Sequence, residues 1–197
     1  MKKTSSQLRT TNYELRTNAG FTLIETMVAI TLLTVAITAP MTLATKSLST
    51  AYYARDQIAA FHLAQEAIES VRHVRDGNVL HNSLGLTPAR DLLYGIPPDA
   101  LSGGNAFTVD TLDDSMESCL GGPCPVLQTN GELYGYTDGW TDTKFTRSVR
   151  ATFLPGTTDE IRVAVTVSWK TGSFASRNFT IAENLYRWIE DGSGSPI

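Results

Sequence analysis

A chain of 197 residues has room for one ordinary domain plus an extended element, but not for two full domains. Its formal net charge of −4 and pI near 5.3, with no dense Lys/Arg face to neutralise phosphates, argue against a nucleic-acid binder. A hydrophobic share of 42% suits a globular protein that carries one strongly apolar segment.

Residues 1–20 are polar and without apolar periodicity. They hold Lys2, Lys3, Arg9 and Arg16 against Glu14 alone, a net +3 just ahead of an apolar run. That order is a targeting signature. Residues 26–45, TMVAITLLTVAITAPMTLAT, then carry no charge over 20 positions, the length a membrane-spanning helix needs. Six threonines and Pro40 keep the run only moderately apolar. Threonine hydroxyls can bond back to helix carbonyls, and a membrane helix tolerates proline where the freed carbonyl finds another partner.

Glu25 stands at the head of this run. An acidic side chain at mid-bilayer costs about 2.5–3.5 kcal/mol on insertion scales, and less at the interface. Three readings follow. The chain could hold an ordinary anchor with its glutamate among headgroups. It could hold a secretory signal peptide, although Ile37-Thr38-Ala39 before Pro40 is a poor cleavage site. Or the chain is cut before Phe21. The new α-amino group, with a reference pKa of about 7.7–8.0, would then pair with Glu25 of a neighbouring subunit and fix one axial stagger.

Residues 46–76 contain neither Gly nor Pro. Ala51, Ala54, Ile58, Phe61, Ala64, Ile68, Val71 and Val74 recur at intervals of three and four, which predicts one apolar helix face. Arg55, Asp56, Gln65, Glu66, Glu69 and Arg72 are expected on the opposite faces. Gly77-Asn78 offers a C-terminal stop. With no break between the two stretches, residues 21–76 read as one helix roughly 80 Å long. Residues 77–143 are rich in Gly, Pro, Asp, Asn and Ser and read as loop, with candidate strands at 106–112 and 126–129. Residues 144–153, 160–170 and 176–182 alternate with period two and are separated by the turn material LPGTTD and TGSFA. Trp169 alternates with Val163, Val165 and Val167 and is expected on their face. Three antiparallel strands with one apolar face need a cover, and the amphipathic half of the helix supplies it. The expected fold is α+β.

Cys119 and Cys124 lie in ESCLGGPCP. A small-loop disulfide is the expected state and free thiols the alternative; a structural zinc would need four ligands. His62, His73 and His81 do not form a metal set, since His62 and His73 lie about 16 Å apart along a helix at 1.5 Å per residue. The acidic stretches at Asp110, Asp113 and Asp114 and at Asp138 and Asp142 could attract calcium. Neither matches a calcium loop, so solvated turns are the expectation, with no cofactor. No GxSxG, HExxH or P-loop pattern is present, and no enzyme is expected.

The residues GFTLIE at 20–25, behind a short basic leader and ahead of the apolar run, resemble the class III signal of type IV prepilins and type II secretion pseudopilins. Asn18 and Ala19 stand where that family commonly has Lys or Arg. The resemblance implies a pilin-like fold and cleavage by a membrane prepilin peptidase between Gly20 and Phe21, with N-methylation of Phe21. It implies Glu25 as the register residue and Pro40 at a helix bend. The implied organisation is a leader at 1–20, a membrane and filament-core helix half at 21–45 and an amphipathic half at 46–76. A loop-rich variable region at 77–143, a sheet region at 144–190 and a flexible tail at 191–197 follow.

The implied life of the subunit begins as a single-pass protein of the inner membrane, its N-terminus cytoplasmic and its C-terminal domain outside. It is then taken from lipid into a filament with other pilins or pseudopilins, by an assembly platform and its ATPase. AQEAIESVRHVRD at 64–76 is similar to minor pilins and minor pseudopilins of the I and V types. The alternative function is a bitopic, membrane-anchored binding domain that never polymerises.

Overall fold

The computed structural model describes residues 20–157, 159–171 and 176–188. The expected leader up to residue 19, the turn at 172–175 and the tail at 191–197 lie outside the described residues. The chain divides into two compact units, Met1–Leu48 and Ser49–Ile197.

Helix α1, Leu23–Ser83, supplies the described helix of the first unit and continues into the second. In the first unit the segment is apolar all round and its side chains from Phe21 onward are exposed. Among the described residues, α1 is the one helix long and apolar enough to cross a membrane.

In the second unit, α1 lies against an antiparallel sheet from Tyr53 to Arg75, and its last turns meet the segment at 88–94. The strands are β1 (Phe107–Val109), β2 (Met116–Ser118), β3 (Val126–Thr129), β4 (Tyr134–Gly135), β5 (Thr141–Phe153), β6 (Glu160–Trp169) and β7 (Arg177–Tyr186). A short helix α2, Pro98–Gly103, precedes β1. The alternation read in the sequence becomes a regular meander, with Val149 opposite Val165 and Val165 opposite Ile181. Val163, Val165, Val167 and Trp169 share the inward face. Each fully buried valine contributes about 1.5–3 kcal/mol as an upper estimate.

The expected strands at 106–112 and 126–129 are present as β1 and β3, the first shortened to three residues. Both pair with the same edge of β5. β3 joins it near Thr146 and β1 near Val149, while β6 lines the other edge. The edge is therefore forked, and a cleft of about 610 Å³ opens there, bordered by Thr108, Asp110, Glu117, Gln128 and Asp142.

Two expectations are corrected. Gly77-Asn78 does not stop the helix; α1 runs on to Ser83. Asn78 is buried and donates its side-chain amide to the carbonyls of Leu92 (3.3 Å) and Tyr94 (2.8 Å), so tertiary partners hold it helical. The real stop is Gly85, at φ 68. Its N–H bonds the Asn82 carbonyl at 2.8 Å, and Leu86 N–H bonds the His81 carbonyl at 3.2 Å, which is the Schellman pattern.

The buried helix face is also rotated from the expected one. Ala60, Leu63, Ala64, Ala67, Ile68 and Val71 are buried. Ile58 and Phe61 remain 59% and 38% exposed. Asp56, expected on the solvent side, is only 1% exposed.

Candidate functional site, the N-terminal segment and its clasps

Gly20, Phe21 and Thr22 precede the first helical residue, Leu23. Thr22 Oγ1 accepts the Glu25 backbone N–H at 3.3 Å. This is the threonine half of a Thr-x-x-Glu capping box, with Glu25 at the third helical position. Glu25 is also the acidic residue of the first turn, where the helix dipole favours a carboxylate. The glutamate therefore has a local structural role at the start of α1, and TLIE at 22–25 is the sequence signal that carries it. The bond between Gly20 and Phe21 lies outside the helix, and both residues are exposed.

The threonines of the apolar run bond inward to their own helix. Thr26 Oγ1 donates to the Leu23 carbonyl at 2.8 Å, Thr31 to Val28 at 2.8 Å and Thr34 to Thr31 at 2.8 Å. Thr38 donates to Thr34 at 2.9 Å, Thr42 to Thr38 at 2.6 Å and Thr45 to Thr42 at 2.9 Å. Pro40 lies inside the helix and has no N–H to offer the Ala36 carbonyl.

In the second unit, three features hold the helix to the sheet. Asp56 on α1 accepts from Lys144 Nζ at 2.6 Å and from Thr171 Oγ1 at 2.7 Å, with Arg55 at 3.6 Å. Burial pushes the Asp56 carboxyl up. The hydrogen bonds from Lys144 and Thr171 and the charges of Lys144 and Arg55 together outweigh it, and its pKa falls below the ordinary carboxylate value.

Arg147 on β5 is fully buried, facing inward beside the fork in the sheet. It donates to the Leu63 carbonyl at 3.0 Å, the Val109 carbonyl at 2.5 Å and Glu66 Oε2 at 3.3 Å. One planar guanidinium thus ties α1, β1 and β5 together, a task suited to its rigid fork of donors. Burial pushes the Tyr136 phenol above its usual range, with the Arg147 charge opposing. Arg72 closes the far end, 2.7 Å from Glu183 of β7.

Cys119 and Cys124 form a disulfide, at an S–S distance of 1.99 Å. It closes the loop from β2 toward β3. Asp110 spends its carboxylate on backbone amides, accepting Leu112 N–H at 3.0 Å and Tyr136 N–H at 2.8 Å. Among the described residues, no group of three or more His, Cys, Asp or Glu side chains is arranged to hold a metal ion.

Residues 15–39 match the family model of the prokaryotic N-terminal methylation motif. No curated protein and no solved structure matches the chain. The motif supports the type IV pilin and pseudopilin class. The architecture agrees in outline: a long N-terminal helix with a C-terminal antiparallel sheet, α+β and pilin-like.

Proposed function

We propose that the chain is a structural, non-enzymatic filament subunit of a type IV pilus or a type II secretion pseudopilus. In this reading a prepilin peptidase cuts between Gly20 and Phe21 and methylates the new amino group. The mature chain of 177 residues waits in the inner membrane with its C-terminal domain outside. The assembly platform and its ATPase then draw it into a filament beside sister pilins or pseudopilins.

The observation that carries this reading is the methylation motif at residues 15–39, set on an apolar helix whose first residue falls just after the exposed Gly20 and Phe21. Glu25 then has two duties. It stabilises the start of α1, and its carboxylate pairs with the Phe21 amino group of a neighbour to set the stagger. Pro40, within the same apolar run, is the place where that helix bends on assembly.

Intact-mass and N-terminal analysis of the membrane-extracted protein tests the proposal. A mature terminus at N-methyl-Phe21 is the expected result. Retention of residues 1–20 overturns it in favour of a bitopic binding domain that does not polymerise. The register role has its own test: Glu25→Val should be processed and fold its outer domain, but enter filaments poorly. Normal incorporation refutes that role.

The loop-rich stretch and the resemblance of residues 64–76 to minor subunits favour a minor or initiating place. Deletion should then lower filament number while the protein stays scarce in sheared filaments. Finding it as their bulk component overturns the minor assignment.

A further inference from the structure

The sheet ends sooner on one side than the helix it covers. β7 pairs with β6 over Arg177–Tyr186, and among the described residues no strand lies along its other edge. Ten residues therefore present alternate backbone N–H and C=O groups outward with no strand to take them.

Inward-facing side chains tell the same story. Val163, Val165 and Val167 of β6 are fully buried, whereas Phe179 and Ile181 of β7 are only partly so. β7 runs alongside α1 in the same direction. Arg177 lies over the Tyr53 ring at 5.4 Å, Phe179 meets Phe61 edge-on at 5.8 Å, and Arg75 reaches the Tyr186 carbonyl at 2.8 Å. Phe61 marks the β7 side of the helix, and Ile58, one turn before it, shares that side. Both stay exposed. The apolar stripe that the sequence places on the core face thus extends past the last strand.

The seam between β7 and α1 is also charged in opposite senses at its two ends. Arg177, over the Tyr53 ring, is exposed at the end nearest Ser49. At the other end Glu69 and Glu183 share one arginine, Arg72.

We infer that the β7–α1 seam is a docking site for an extended strand of a second polypeptide. That strand carries alternating apolar side chains, an acidic residue at the Arg177 end and a basic residue at the Glu183 end. A strand satisfies every feature of the seam together. Its backbone pairs with the β7 edge, its inward side chains cover Ile58, Phe61 and Ile181, and its end charges meet their opposites. A docked helix would cover the apolar residues yet leave the β7 amides and carbonyls without partners. A two-fold antiparallel pairing of β7 with its own copy would set the two α1 segments head to tail. The inference stands on β7 and α1 alone, so the state of the N-terminus at Phe21 does not bear on it.

The test uses the full chain in detergent micelles and two synthetic peptides that match the ten residues of β7 in length. Both alternate Val and Thr; one carries Asp at its N-terminal and Lys at its C-terminal end, the other the reverse. Together they cover parallel and antiparallel docking. A third peptide with Pro at alternate positions cannot add to a sheet. One of the two charged peptides should slow amide hydrogen exchange at alternate residues of β7 by about tenfold or more against the Pro control.

Ile58→Asp, at an exposed position that leaves the core untouched, should weaken binding by about tenfold. Protection by neither peptide overturns the inference. So does β7 that is already as protected as β6 in the peptide-free chain, or protection that appears only on self-association as concentration rises.

Discussion

Asp56 and Lys144 form a 2.6 Å ion pair between α1 and the first residues of β5, with the carboxylate buried and the lysine side chain one-third exposed. The pair sits near the start of the second unit, one turn after Tyr53, whose ring stacks on Trp169 of β6. Its environment fixes the sign of the pH response. The folded-state pKa of Asp56 lies below its ordinary value, so the stabilisation is fully present above about pH 4 and is lost as pH falls through the depressed folded pKa. Asp56→Asn should therefore flatten the acid limb of a stability-against-pH curve measured by urea unfolding of the full chain. An unchanged acid limb would show that Asp56 is not linked to folding.

Asp56→Ala should lower stability at neutral pH by about 2 kcal/mol. That is less than the about 3–5 kcal/mol expected when a wholly buried pair is broken, because Lys144 can turn to water. Lys144→Ala should be worse than Asp56→Ala, since it leaves a buried carboxylate with Thr171 and the more distant Arg55 alone. Denaturant midpoints of the two variants decide the order.

Arg147 has no such escape. Arg147→Met should cost about 3 kcal/mol or more, by removing the donor to the buried Leu63 and Val109 carbonyls. Arg147→Lys should restore little of it, because one ammonium cannot reach the Leu63 and Val109 carbonyls in the geometry of a planar fork. A lysine variant as stable as the native chain would contradict the bridging role.

Removing the Cys119–Cys124 bridge by paired Ser substitutions should cost about 2 kcal/mol on the chain-entropy account of a short loop. The loss should fall on the forked side of the sheet. Hydrogen exchange should rise at β2 and β3 and stay unchanged at β6. Uniform loosening of the whole sheet would point instead to global destabilisation.

Thr22→Ala removes the acceptor for the Glu25 N–H. Exchange at the first-turn amides of α1 should rise by about fivefold, the size of a typical cap, while the rest of the helix is unaffected. Glu25→Gln keeps the Thr22 bond and should change first-turn exchange less than Thr22→Ala does.

Much of this arrangement was open to reading in the residues alone. The alternation in KFTRSVRATF and EIRVAVTVSW sets β5 and β6 on its own, because a half-buried antiparallel strand has no other pattern. Trp169 falls on the valine face for the same reason. The helix face was harder. Ile58 and Phe61 are as apolar as Ala60 and Leu63, and local periodicity cannot say which side meets a sheet formed far along the chain.

Polar residues on the buried side, Asp56, Asn78 and Arg75 among them, blurred the pattern further. Their partners, Lys144, the Leu92 carbonyl and the Tyr186 carbonyl, are set by the tertiary fold. The cap at Thr22 was different in kind. Thr22-x-x-Glu25 is a local signal, eclipsed by the more conspicuous oddity of a carboxylate beside an apolar run.

The inward bonds of Thr26, Thr31, Thr34, Thr38, Thr42 and Thr45 give the apolar stretch an outer skin of methyl groups. Each hydroxyl is already engaged with a carbonyl of its own helix. Moving such a rod between media, from fatty-acyl chains to the flank of another helix, need make or break none of these bonds. The threonine γ-methyls and the Ile, Leu and Val side chains alone meet the change. A segment built this way is nearly indifferent to which apolar neighbour surrounds it, and what holds it in one place must come from its ends.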